Sequence, residues 1–144
     1  MQRRNFILGI LSVLVLLPIR AFAALWNKPA FEAEKLSDAQ NNLSMNGEIV
    51  SNQILITAPD RAENGAIVQV EVTSNIVNTD TITILVEKNP TPLIAHFMFS
   101  NGAAPFVITR IKMAETSDIK VVVKAGGQYF TNAKNVVVLE NGCG

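Results

Sequence analysis

Along much of the chain, apolar residues recur at every second position. In "AIVQVEVTS", Val68, Val70 and Val72 alternate with Gln69, Glu71 and Thr73, and in "DTITILVEK", Ile82, Ile84 and Val86 alternate with Thr81 and Thr83. In "DIKVVVKA", Ile119, Val121 and Val123 share a face while Lys120 and Lys124 point the other way. A period of two sends successive side chains to opposite faces, so each segment predicts a strand with one buried and one wet face. Shorter candidates at 53–57, 93–99, 105–113, 128–130 and 135–140 fill the gaps. Asn64-Gly65, Asn89-Pro90, Asn101-Gly102 and Gly126-Gly127 supply the turns between them. About seven or eight short strands with no intervening helix predict an all-β fold, an antiparallel sandwich of immunoglobulin-like type. The cysteine and tryptophan hallmarks of antibody domains are missing, since Trp26 precedes the strands.

The pattern is different before the strands. "NKPAFEAEKLSDAQ" reads as a short helix, with Pro29 in its first turn and Glu32 and Glu34 near the positive end of its dipole. Phe31, Leu36 and Ala39 form its apolar face, and Gly47 closes the segment. Earlier still, "MQRRNFILGILSVLVLLPIRAFA" begins with Arg3 and Arg4, continues through an apolar run and ends in Ala21-Phe22-Ala23. That is the layout of a signal peptide cleaved after Ala23. The apolar run falls short of the ~20 residues that span a bilayer. Arg3-Arg4-x-Phe6-Ile7 has the form of a twin-arginine signal, which exports folded proteins. A general secretory signal that happens to start with two arginines is the competing reading; Arg20 beside the cleavage site favours the twin-arginine form. The expected organisation is a signal at 1–23, a helical segment at 24–48, a sandwich at 49–140 and a mobile cysteine-bearing arm at 141–144.

Composition narrows the function. The chain has 144 residues, of which 49% are hydrophobic, enough for one domain with its own core. Basic residues do not cluster with aromatics, which argues against nucleic-acid binding. Loss of the signal removes Arg3, Arg4 and Arg20 but no acid. Lys+Arg then falls from 12 to 9 against 12 Asp+Glu, a formal charge of −3. An exported, mildly acidic, soluble periplasmic protein follows, with no membrane span of its own. One histidine, His96, and one cysteine, Cys143, exclude a disulfide framework, multi-cysteine metal sites and c-type haem attachment. His96 lies between Ile94 and Met98 on one strand face and reads as packed or hydrogen-bonded. Met45, Met98 and Met113 are too scattered to build a copper site with it. Arg110 and Lys112 alternate with Thr109 and Ile111, as on a solvated face, with contact to a partner subunit or an anionic group as the competing reading.

Cys143 is the candidate for chemistry. An oxidising compartment drives exposed thiols to react or pair. Asn141, Gly142 and Gly144 offer little to pack, so a core position is excluded and the sulfur is expected on a short tether of ~10 Å. Its charged neighbours, Glu140 and the terminal carboxylate, disfavour a thiolate, and no resolving cysteine exists. A weakly activated, reachable thiol is a poor catalyst and a good handle; the chain is not expected to be an enzyme.

The tail "NGCG", with "APDRAENGAIVQVEV", "KNPTPLIAHF", "TRIKMAETSDIKVVV" and the twin-arginine leader, resembles the SoxY family. These are sulfur-carrier subunits of the bacterial thiosulfate-oxidising (Sox) system. The family's arm reads Gly-Gly-Cys-Gly-Gly; here Asn141 replaces the first glycine and the final one is missing. Asn tolerates left-handed backbone conformations, so the replacement costs little mobility. The resemblance implies that Cys143 carries thiosulfate-derived sulfur covalently, without a resident cofactor or metal. A haem enzyme couples thiosulfate to it as a cysteine S-thiosulfonate, a hydrolase releases sulfate, and later steps oxidise or transfer the remaining sulfane sulfur. It also implies a heterodimer with SoxZ, a second small β-sandwich. Two other readings stand beside it: a structural or adhesion-type sandwich linked through an intermolecular disulfide at Cys143, and a related carrier for another sulfur compound.

Overall fold

The computed structural model describes residues Trp26–Glu140. Two helices, α1 (Lys28–Glu32) and α2 (Leu36–Asn42), precede nine strands. These are β1 (Ile49–Val50), β2 (Ile54–Thr57), β3 (Arg61–Asn64), β4 (Val68–Ser74), β5 (Thr79–Val86), β6 (Leu93–Met98), β7 (Phe106–Ile111), β8 (Ser117–Ala125) and β9 (Gln128–Glu140). The larger sheet runs β1-β9-β8-β5-β6, with β3 also paired to β9; the smaller runs β2-β4-β7. The expected immunoglobulin-like sandwich is what forms.

The alternating segments do what their period dictates. Val68, Val70 and Val72 of the small sheet meet Ile82, Ile84, Val86, Ile119, Val121, Val123, Val136 and Val138 of the large sheet in one core. Each such side chain contributes roughly 1.5–3 kcal/mol by leaving water. The antiparallel pairs β5–β8 and β8–β9 place Ile84 opposite Val121 and Val123 opposite Phe130. Two short pairings depart from the antiparallel rule: β1 and β3 each run parallel to β9.

Three expectations are corrected. The single N-terminal helix is two, because Ala33 turns extended after Glu32. Glu32 accordingly closes α1 rather than opening it and pairs with Lys28 at 3.5 Å, while Glu34 lies outside both helices. Asn27 caps α1 by accepting a hydrogen bond from the Ala30 N–H at 3.1 Å, and its side chain donates to the Asn42 carbonyl at 2.7 Å. The break lets both helices lie flat on the large sheet: buried Ala30 and Ala39 allow close approach to Leu85, Leu93 and Val122. That cover explains why β5 and β8 bury both faces at Leu85 and Val122 despite their alternation. Lys120 is held by Glu48 at 2.7 Å, and Glu48 also accepts from Gln40, tying the helices to the sheet.

The second correction concerns the last strand. Segments 128–130 and 135–140 are one strand of 13 residues. Residues 131–134, polar except for Ala133, do not interrupt it, because the β8 ladder runs unbroken from Ala125↔Gln128 to Ser117↔Val136. Asn132 spends its amide on the Ile54 carbonyl at 2.8 Å. Third, β3 (Arg61–Asn64) is absent from the expected strands; Asn64, expected in a turn with Gly65, ends this strand and only Gly65 lies beyond it.

His96 is half-buried on β6 opposite Thr83, and its Nδ1 lies 2.8 Å from the Thr83 Oγ1. The packed, hydrogen-bonded reading holds. Burial disfavours the imidazolium and holds its pKa below the usual histidine value. The folded pKa is therefore lower than the unfolded one, and the neutral ring's contribution is complete above the unfolded value. Stability is expected to fall as pH drops below ~6.5 and on through the folded pKa. His96→Gln should flatten that acid limb in urea titrations at successive pH values. In the core, Ile84→Ala should cost about 2–5 kcal/mol, read as a lower urea midpoint at unchanged slope.

Candidate functional site

Cys143, Asn141, Gly142 and Gly144 lie outside the described residues, as does the 1–23 leader. What the structure shows is the platform from which 141–144 depart. Glu140 ends β9, and Cys143 follows three residues later.

That strand end is held from both sides. On one flank β3 pairs in parallel, Arg61 with Val137, Ala62 with Val138 and Asn64 with Glu140. The Val137 N–H donates to the Asp60 carbonyl at 3.0 Å, and the Gly65 N–H donates to the Glu140 carbonyl at 2.9 Å. The other flank has lost β8, which stops at Ser117, so a side chain takes over. Thr116 Oγ1 accepts from the Val138 N–H at 2.9 Å. Parallel β3 can do this only because the chain, after crossing between sheets, returns alongside β9 with Ala62 buried.

Loops behind the strand end brace these contacts. The Gly65 carbonyl accepts from the Met113 N–H at 2.7 Å. Asn89 donates to the Lys112 carbonyl and accepts from the Ala114 N–H, both at 2.8 Å, which fixes the turn that presents Thr116. Asn64 Oδ1 accepts from the Ala66 N–H at 2.8 Å and shapes the exit from β3. The three body segments singled out in the sequence, 58–72, 88–97 and 109–123, thus meet at one place. Sequence reasoning saw each of them and missed their convergence. The pattern Asn-Gly at 64–65 and Asn-Pro at 89–90 signalled turns, but nothing local says that two turns brace the same strand.

The charges here are modest. Lys134 pairs with Asp60 at 2.8 Å, and the ammonium beside it holds the Asp60 carboxyl below its usual pKa. Lys88 and Glu115 approach to 3.8 Å on the surface. Arg61 makes no ion pair among the described residues. His96 is on β6, across β5 and β8 from the strand end, and joins no cluster with it. Arg110 is on the outer face of the small sheet, and Lys112 follows β7; both are exposed, as a solvated face requires. Among the described residues no three His, Cys, Asp or Glu side chains gather into a metal site. No described helix is long and apolar enough to cross a membrane. The outer side of β9 near its end exposes Val137 and Leu139, 36% and 54% accessible.

Known proteins place this architecture. The family model described as sulfur oxidation protein SoxY matches residues 40–143. The solved structure of the sulfur carrier protein SoxY from Chlorobium limicola f thiosulfatophilum is 37% identical. It aligns over 78% of this chain and 99% of that one with a TM-score of 0.67. A superoxide reductase (neelaredoxin) from Ignicoccus hospitalis, 15% identical, covers 72% of this chain and 92% of its own, with a TM-score of 0.53. That likeness is one of fold alone. No curated protein matches the chain. The match through most of the described sandwich and as far as residue 143, together with the Chlorobium structure, shows that the chain belongs to the SoxY family.

Proposed function

We propose that the protein is a periplasmic sulfur carrier that holds thiosulfate-derived intermediates covalently on Cys143. The observation that carries this reading is the extent of the family match. It runs from Gln40, near the end of α2, through the sandwich and ends on the chain's single cysteine. The braced end of β9 supports it, because a carrier needs a fixed point from which its cargo swings.

In the coupling step the Cys143 thiol loses its proton and its sulfur bonds to the outer sulfur of thiosulfate. Two electrons leave to a haem-containing partner enzyme. In the release step water attacks the sulfonate sulfur, the bond to the sulfane sulfur breaks, and sulfate departs with a persulfide left on Cys143. The carrier supplies no acid, base or metal to either step. Asn141, Gly142 and Gly144 serve it by placing no bulky side chain beside the sulfur, so that a partner's cleft can admit it. Activation of the thiol comes from that cleft. A SoxZ-like β-sandwich subunit completes the carrier, and residues 1–23 direct its export by the twin-arginine route, which passes folded proteins.

Incubation with thiosulfate and the cognate haem enzyme is expected to add one thiosulfate unit to the intact mass. Cys143→Ser should abolish the adduct, and a reductant should remove it. An unmodified wild-type protein would sink the carrier assignment. On a non-reducing gel the carrier is expected to run largely as a thiol-bearing subunit. A permanent disulfide dimer through Cys143 would favour the structural reading instead.

A further inference from the structure

We infer that Val137 and Leu139, flanked by Arg61, form a docking collar for the enzymes that act on Cys143, and that the collar contacts the apolar rim of their active-site clefts. The inference rests on the carrier reading and identifies which surface that reading requires its partners to touch.

The argument is one of reach. From Glu140 to Cys143 is three residues, a span of ~10 Å even when fully extended. A cleft that takes the sulfur out of water must enclose most of that length. Its rim then arrives at the end of β9 itself, whatever the enzyme. The end of β9 cannot retreat, since Asp60, Gly65 and Thr116 hold its backbone on both flanks. Any catalytic partner is therefore forced onto the residues around Glu140.

What they meet there is apolar on one side. Val136 and Val138 point into the core, so Val137 and Leu139 point outward as neighbours two residues apart. The same outer face of the large sheet is capped at its other end, where the helices cover Leu85, Val122 and Tyr129. Exposed Val50 and Met98 lie elsewhere on this face, but Val137 and Leu139 are the aliphatic pair on it beside the point from which 141–144 depart. Singly exposed aliphatics are ordinary, but a same-face pair placed at the obligatory contact point is a ready anchor. Beside it Arg61, opposite Val137 on β3, offers a guanidinium without an ion pair among the described residues. Specificity between a cleft rim that matches this arrangement and one that does not would be set here, while the chemistry stays with the sulfur.

The test compares wild type, Leu139→Ser and the double variant Val137→Lys/Leu139→Lys as substrates of the thiosulfate-coupling haem enzyme, followed by intact mass. Ile108→Lys, on the exposed face of the small sheet, is the remote control. The collar predicts a KM raised about tenfold for the double variant and less for Leu139→Ser, with kcat within about twofold of wild type. It predicts that Ile108→Lys leaves both constants unchanged. Alkylation of Cys143 by iodoacetamide should proceed at the wild-type rate in all of them, because the collar acts on the enzyme and not on the thiol. A wild-type KM in the double variant overturns the collar alone. So does an equal effect of Ile108→Lys, or an altered alkylation rate. A wild-type protein that takes no adduct at all overturns the carrier reading and the collar with it.

Discussion

The hydrogen bonds that grip one edge of β9 as far as Glu140 and the other as far as Val138 are the constraint on which the rest of the molecule turns. A strand that ends a sheet normally frays, because its final amides and carbonyls have only water. Here Asp60 and Gly65 satisfy one edge and Thr116 the Val138 amide on the other. The bracing is expensive in chain. It requires β3 to cross over and run parallel, and it requires Asn89 to pin the turn that carries Thr116. β3 adds only Ala62 to the core, and Asn89 adds nothing to it. Both are understandable if the position at which 141–144 begin matters.

The covalent carrier that we propose has two opposed requirements. Its cargo must enter clefts of differing shape, which favours a tether of small residues. Its body must present that tether at a defined place, since each uncertainty in the origin dilutes the effective concentration of the sulfur at a docked partner. The sandwich meets the second need by ordinary means: a Val/Ile core between sheets, and helices that seal the outer face over Leu85 and Val122. The same division of labour explains why so little of the body looks reactive. Buried side-chain polar atoms among the described residues all have partners, and the one histidine is spent on Thr83.

Much of this was legible in the sequence. Alternation in β4, β5 and β8 gave the sandwich, because one buried face leaves an unambiguous period-two trace. The exceptions have physical causes. Leu85 and Val122 looked solvent-facing only because a sequence period cannot show that helices will cover the second face. Residues 131–134 looked like a break because three of the four are polar, yet a ladder is made of backbone and tolerates polar side chains at a sheet margin. β3 was invisible, since "RAEN" has no strand propensity and pairs solely because β9 offers a free edge. Cys143 stood out from its spacing and neighbours, whereas Thr116, Gly65 and Asn89 did not. Their role arises from contacts between segments dozens of residues apart, which no local pattern encodes.

The central claim is the proposal that Cys143, three residues beyond the braced end of β9, is open to solvent and to partners. The most direct test is the rate at which iodoacetamide alkylates Cys143 in the native protein relative to the same protein unfolded in urea. The account predicts rates that agree within about threefold after correction for solvent, since folding should not hide the thiol. A native rate slower by a factor of about a hundred or more would mean that the fold protects the sulfur, and would contradict it.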